Sequence, residues 1–196
     1  PKRPPGVDLW GLPDGGGLED PLSAPLRPER PPLEPGRTYL AEVVVRNLFT
    51  GHEFTQGTAD SNEVWLSVEL AAGERPLAAS GALRADRSVE PRSFFLNAWV
   101  IDREGRRIDR RNPQDIYAVL YNHQLPPGSA TVVPFRFTLP GTVREPVTLK
   151  VRALYRKFDS TYVRHFAGTA NDLPIVELAS DRVSFAGQGG PRPAAD

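Results

Sequence analysis

Apolar and polar residues alternate along most of the chain. This period of two predicts β-strands, because successive side chains of a strand point to opposite faces. The segments that carry the pattern are "TYLAEVVVRNL", "EVWLSVEL", "SFFLNAWVID", "ATVVPFRFTLP", "PVTLKVRALYRKF" and "IVELASDRVSF". In the second segment Glu63, Ser67 and Glu69 are predicted to point outward, and the alternation favours an exposed Trp65. Pro134 predicts an edge strand or a bulge in the fourth segment, because proline cannot donate a hydrogen bond to a neighbouring strand.

Helical signals in the sequence are short. "NPQDIYAVLYNH" predicts a helical turn or two after Asn112, because proline is favoured at the first helical position. "DSTYVRHF" predicts a second short helix with Asp159 as its N-cap. About seven strands at short spacing, without long helices between them, predict an all-β protein: an immunoglobulin-like antiparallel β-sandwich with an extended proline-rich N-terminal arm.

Composition divides the chain into three parts. Proline and glycine concentrate in residues 1–36, which predicts an extended arm without regular structure. Residues 37–185 carry the strand pattern of the sandwich, and residues 186–196 have the composition of a C-terminal linker. An apolar cluster near the start of the arm is predicted to anchor it to a surface, either of its own sandwich or of a partner protein. That cluster consists of Leu9, Trp10 and Leu12.

The charge balance and the missing residue types exclude several function classes. The chain has 24 basic and 24 acidic side chains, so no basic face for nucleic acid or anionic lipid is indicated. No apolar run approaches the roughly 18–20 residues that cross a bilayer. Without cysteine, this chain forms no disulfide, no thiolate zinc site and no covalent link to a c-type haem. Because it also lacks methionine, we expect a processed or excised segment whose export signal or anchor lies elsewhere.

The loop "RNLFTGHEFTQGTADSNEVW" holds the candidate catalytic residues. His52 with Asp60 or Glu63 would suit a hydrolase that acts on a carbohydrate or an ester. No nucleophile-elbow motif accompanies them, and carboxylates at the entry to a strand are more typical of turn capping. The favoured interpretation of His52, as of His123 and His165, is a structural hydrogen bond, so no catalytic residue is predicted.

Metal and carbohydrate sites are weaker alternatives. Asp60, Asn62 and Glu63 offer closely spaced oxygen atoms, but the glycine and the final glutamate of an EF-hand loop are missing. The three histidines are too widely spaced to indicate a zinc site, so no metal site is predicted. A carbohydrate-binding module would require a flat platform of exposed tryptophans. The candidates for it are Trp10, Trp65 and Trp99.

Four segments together resemble a known protein family. They are "VVRNLFTGHEFTQGTADSNEVWLSVEL", "NPQDIYAVLYNHQLPPGSATVVPFRFTLP", "LYRKFDSTYVRHF" and "NDLPIVELASDRVSF". Their order is similar to that of the β-sandwich region of bacterial multihaem c-type cytochrome proteins, the type often followed by tetratricopeptide repeats. The resemblance spans residues 38–185. It departs from the family at Thr55, where the family has proline, and in the absence of any CxxCH.

The resemblance implies a non-enzymatic accessory module: a docking or stabilising part of an exported bacterial electron-transfer assembly in the periplasm or another extracytoplasmic compartment. The chain itself would carry no cofactor. Its partner would be a haem-bearing c-type cytochrome or a membrane electron-transfer complex, respiratory or photosynthetic. His52 matches the Gly-His position of the family, so the resemblance marks it as a contact or ligand to a partner's haem. The arm residues Leu9, Trp10 and Leu12 are the predicted partner contacts.

Overall fold

A computed structural model describes residues 6–28, 30–57 and 60–187. Within these ranges the strands, in chain order, are β1 Gly6–Pro13, β2 Leu22–Ser23, β3 Thr38–Arg46, β4 Glu63–Ala72, β5 Arg75–Ser80, β6 Ala98–Ile101, β7 Ala118–Asn122, β8 Ala130–Thr138, β9 Val147–Arg156 and β10 Val176–Phe185. A 3-10 helix, Pro113–Asp115, precedes β7, and the helix α1, Ser160–Ala167, follows β9. No helix in the described ranges is long and apolar enough to cross a membrane.

The strands form two four-stranded antiparallel sheets that pack face to face, with strand orders β2-β1-β3-β8 and β10-β9-β4-β5. The core between them is built from the alternating apolar residues that the sequence pattern identifies on β3 and β4. These residues are Tyr39, Ala41, Val43, Val45, Val64, Leu66, Val68 and Leu70. The predicted all-β sandwich is therefore confirmed. Strands β6 and β7 form a separate two-stranded sheet, which extends from the edge of the second sheet.

Two local predictions are confirmed. Pro134 lies on β8, which is an edge strand of its sheet. Asp159 caps α1, because its Oδ1 accepts a hydrogen bond of 2.7 Å from the Tyr162 amide. The helical prediction after Asn112 is confirmed for one turn of 3-10 helix and is wrong for the residues that follow. The β-branched and aromatic residues that follow form β7 and pair with β6, because their preference for strands and the backbone pairing outweigh the weak helical signal.

The outer face of β4 is covered, which contradicts the outward positions predicted for Glu63, Ser67 and Trp65. All three are buried. The Trp65 indole Nε1 donates a 3.0 Å hydrogen bond to the carbonyl oxygen of Gly81, in the segment that returns over this face. Gly81 has a φ of +82°, and a Cβ at this position would collide with the Leu66 carbonyl oxygen. Only glycine allows the returning segment to come so close to β4.

The N-terminal arm is part of the sandwich, so the predicted boundary at residue 37 is corrected. β1 pairs along β3, and the Leu9 and Leu12 side chains are 2% and 1% exposed in the core. The role predicted for these two leucines as partner contacts is corrected with it, because they are enclosed by their own sandwich. The apolar side chains of β1 gain burial in the core, and this allows a strand to form within a proline-rich segment. Residues 1–5 of the arm and 188–196 of the predicted linker lie outside the described residues.

Asp181 on β10 ties the arm to the second sheet. Its Oδ2 accepts a 2.7 Å hydrogen bond from the Leu9 amide, and its carboxylate pairs with the Arg27 guanidinium at 2.6 Å. The Leu26 amide in turn donates to the Trp10 carbonyl oxygen at 3.0 Å. The arm thus crosses from one sheet to the other and closes one side of the sandwich.

Truncation of Leu9 tests whether the arm contributes to the core. Leu9→Ala is expected to lower the free energy of unfolding by about 2–5 kcal/mol, because it leaves a cavity in the core between the two sheets. Trp10→Ala is the matched control, since the neighbouring side chain is 42% exposed, and it should lower stability much less. Urea unfolding measures both. Equal losses in the two variants would contradict a core position for β1.

Candidate functional site

His52 lies in an exposed corner between β3 and β4. Its Nδ1 is 2.8 Å from the Glu53 carbonyl oxygen, while its own carbonyl oxygen accepts a 3.0 Å hydrogen bond from the Asn47 side chain. The buried Asn47 amide also donates to the Leu125 carbonyl oxygen at 2.8 Å. The corner is therefore held by Asn47, and the His52 imidazole is left at the surface. Its predicted role towards a partner's haem stays a prediction.

Glu63 is enclosed in the protein and pairs with Arg156. The Arg156 Nε donates to Glu63 Oε2 at 3.0 Å, and the Arg156 Nη2 donates to the same oxygen. Arg156 also donates to the Arg87 carbonyl oxygen at 2.9 Å and to the Ser160 hydroxyl at 3.3 Å. Burial raises the pKa of the Glu63 carboxyl, because the loss of hydration outweighs the charge and hydrogen bonds of Arg156.

The residues of the hydrolase alternative do not share a pocket. The cavity beside Glu63 is lined by neither His52 nor Asp60, and Oε2 of Glu63 is occupied by Arg156. A general base must lie within hydrogen-bond reach of its substrate, together with the group that completes the site. In the described ranges, no three His, Cys, Asp or Glu side chains are grouped so as to hold a metal ion.

The tryptophans do not form the flat platform that the carbohydrate alternative requires. Trp65 is fully buried, and Trp10 lies on β1 of the opposite sheet. Trp99 on β6 is half-buried, and one face of its ring is covered by the Arg107 guanidinium at 4.3 Å. Trp65 is therefore unavailable for stacking, and Trp10 and Trp99 belong to different sheets, so the three rings form no common platform for a sugar chain.

A group of large apolar side chains is exposed on and next to β7. We call it the hairpin surface, and it consists of Ile116, Tyr117, Val119 and Leu120, which are 45%, 62%, 63% and 64% exposed. Val119 and Leu120 are neighbours on a strand and point to opposite sides, so neither side of β7 is covered at this point. Within the described ranges β7 pairs with β6 alone, and its outer edge is unpaired.

Arginines border the hairpin surface. The Arg103 guanidinium lies 5.0 Å from the centre of the Tyr117 ring. Arg106 pairs with Asp102 at 2.8 Å and with Glu104 at 3.1 Å. An exposed apolar strand with an aromatic ring and a polar, arginine-containing rim is the usual anatomy of a protein–protein interface.

A row of aromatic rings lies along the paired strands β6 and β7. The rings of Phe94 and His123 stack at 4.6 Å, and His123 and Tyr121 are 4.0 Å apart. Tyr121 then contacts Trp99 at 5.2 Å, and its hydroxyl donates to the Phe95 carbonyl oxygen at 2.7 Å. Burial lowers the pKa of His123 and thus keeps its imidazole neutral near pH 7.

The hairpin surface does not follow from the sequence pattern. The segment "IYAVLYN" belongs to the predicted short helix after Asn112, although its β-branched and aromatic residues favour a strand. An apolar run without alternation, bounded by asparagine and aspartate, was the available signal. It does not distinguish a buried strand from an exposed one.

Comparisons with known proteins support the fold. No family model matches the chain, and no curated protein matches it. Among solved structures, a penta-haem cytochrome c552 from Thermochromatium tepidum is similar, with a TM-score of 0.55 and 17% identity. The match covers 76% of this chain and 36% of the cytochrome chain. A second structure is Spo0M, a sporulation control protein from Bacillus subtilis, with a TM-score of 0.31 and 13% identity. That match covers 93% of this chain and 49% of the Spo0M chain.

Removal of the Glu63 carboxylate should strongly destabilise the protein. Glu63→Ala is expected to lower the free energy of unfolding by about 3–5 kcal/mol, because Arg156 then remains as a buried unpaired charge. Glu69→Ala is the matched control: Glu69 is exposed on the same strand and pairs with Arg152 at the surface. Its loss should cost less than about 1 kcal/mol. Similar losses in urea unfolding would contradict a special role for the buried pair.

His123 should make stability depend on pH. Because its pKa lies below the ordinary value of 6.5, the folded state binds protons less readily than the unfolded state. Its contribution to stability is present above pH 6.5 and is lost as the pH falls from 6.5 through the folded pKa. The free energy of unfolding should fall over this window in the wild type and change less in His123→Gln. Parallel curves for the two proteins would refute the assignment.

Proposed function

We propose that this chain is a non-enzymatic docking module that binds a haem protein of an extracytoplasmic electron-transfer assembly, and that the hairpin surface is the contact. The observation that carries the proposal is the group of four large apolar side chains exposed on and beside one strand. Large apolar side chains that stay exposed together on one element of a folded protein are typical of interaction sites. An unpaired strand edge beside them offers backbone groups to a partner as well.

The fold supports the choice of a haem protein as partner. The similar region of the penta-haem cytochrome corresponds to 36% of its chain, and the sequence motifs around His52 resemble the same class of protein. This chain has no cysteine and so cannot hold a c-type haem covalently. In the proposed arrangement the haem belongs to the partner, and this chain supplies the β-sandwich that positions it.

His52 lies near the chain segment that follows the hairpin. Directly after β7, the Leu125 amide donates to the Phe54 carbonyl oxygen at 2.6 Å, and the Phe54 amide donates back at 2.9 Å. This pairing fixes the loop that carries His52 to the end of the hairpin strand. In the proposed function the exposed imidazole is an additional contact to the haem protein, beside the apolar contact made by β7.

The introduction of charge into the apolar surface tests the proposal. The tagged chain is expressed in its native host, and co-purified proteins are separated under denaturing conditions and stained for covalent haem. The double variant Val119→Lys, Leu120→Lys should reduce the haem-stained partner at least about tenfold, because two desolvated apolar contacts become charged. Val132→Lys is the matched control, since Val132 is 54% exposed on β8 of a different sheet.

The control should retain the partner at the wild-type level. All these positions are exposed, so the variants should unfold at wild-type urea concentrations. Equal recovery with the double variant would reject the hairpin surface. The absence of any haem-stained partner of the wild type would reject the haem protein as its ligand.

A further inference from the structure

A small polar cavity of about 180 Å³ opens beside the Glu63–Arg156 pair. We call it the polar cavity. It lies between the start of β4, the segment before β6 and the first turn of α1. Its polar walls are contributed by Asn62, Glu63, Ser88, Asn97, Arg107, Asp159, Ser160 and Thr161, and its apolar walls by Val89, Pro91, Phe95 and Trp99. The hairpin surface is not part of it.

The polar walls are held in fixed orientations. The Asn97 Oδ1 accepts a 3.0 Å hydrogen bond from the Val64 amide, and its Nδ2 donates to the Asn62 carbonyl oxygen at 2.9 Å. Asn97 is 1% exposed and Asp159 is 5% exposed. Buried polar groups are costly, and replacement by apolar residues of similar size is often neutral or stabilising. Fixed polar groups beside an opening of this size also suit the binding of a small ligand.

Arg107 has a hydrogen-bond donor without an acceptor in the described part of the protein. Its guanidinium lies 4.3 Å from the centre of the Trp99 ring, and its Nη2 donates to Asp159 Oδ2 at 3.2 Å. Its Nε is buried and makes no hydrogen bond within the described ranges of the chain. An unsatisfied buried donor is unfavourable, and a ligand oxygen in the cavity would satisfy it.

The charges of the cavity indicate a neutral ligand. Glu63 is paired with Arg156, and Asp159 is paired with Arg107, so the two carboxylates are matched by two guanidinium groups. A cation would be repelled by the two arginines, and an anion would be repelled by the two carboxylates. A molecule with several hydroxyl groups can donate to the carboxylates and the amide oxygens, and it can accept from Arg107.

The size and the apolar wall restrict the ligand further. The cavity is smaller than the roughly 300–1,000 Å³ of pockets for drug-sized ligands. Phe95 and Trp99 line it beside the polar groups, and such a surface suits the C–H face of a hydroxylated ring. We propose that the polar cavity binds a small neutral polyhydroxyl compound, of the size of one monosaccharide or cyclic polyol.

The experiment uses the three tryptophan indole signals of the full chain in a nitrogen–proton correlation spectrum. D-glucose, D-galactose and myo-inositol are titrated separately. At least one should shift the Trp99 indole signal saturably, with a dissociation constant of about 1 mM, while the Trp10 signal on the other sheet stays in place. A shift of Trp10 in parallel with Trp99, or no saturable shift up to about 50 times that concentration, would overturn the proposal.

A pair of variants at the mouth of the cavity locates the binding. Thr161 is exposed at the start of α1 and lines the cavity, so Thr161→Phe should fold and narrow the entrance. It should weaken binding at least tenfold, while Thr161→Ser should bind as the wild type does. Equal affinities in both variants would overturn the assignment of the site. Choline and acetate are charged probes of small size; saturation by either of them in place of the polyols would overturn the neutral class.

Discussion

The buried ion pair between Glu63 and Arg156 is the interaction on which the architecture of one end of the sandwich depends. It joins the first residue of β4 to the last residue of β9, which face each other in the strand register. Because both charges are removed from water, every remaining donor of Arg156 must find a partner. It finds them in the Arg87 carbonyl oxygen and in Ser160, so the same guanidinium fixes the segment over β4 and the start of α1. Asp159, which caps α1, then holds Arg107 at the base of the hairpin.

One side of the sandwich is organised by the arm. Asp181 connects the amide of Leu9 with Arg27 and thereby ties the first sheet to the second. Leu9 and Leu12 of the arm are used in the core, while Trp10, Leu18 and Leu22 stay exposed. A second group of exposed apolar residues lies at β7, next to the aromatic row that includes Trp99 and Tyr121. The protein thus combines a sandwich with one exposed strand, and in the proposed function this rigid scaffold would present the binding surface.

The sandwich places two different chemistries on either side of Trp99. On one side lies the apolar strand β7, the proposed contact to a protein partner. On the other lies the small cavity with its paired charges, whose polar groups suit a compact hydroxylated molecule. Arg107 stacks on the indole and contacts Asp159, so a ligand that bonds to its Nε would also order the base of the hairpin. The two sites therefore share one structural support without sharing their binding residues.

The sequence by itself determined the strands, because the alternation of apolar residues in β3, β4, β8 and β9 is dictated by which side chains must leave water. It also determined local features with a short-range cause, such as the Asp159 cap and the edge position of Pro134. Only the tertiary structure decided which strands are buried on both faces. Glu63 and Trp65 alternate as outward residues, yet a distant segment with Gly81 encloses them. Leu9 lies in a proline-rich stretch, yet β3 supplies the partner that makes it core. Burial by residues far away in the chain leaves no trace in local periodicity, and for the same reason the exposed run at β7 became visible only once the fold left it uncovered.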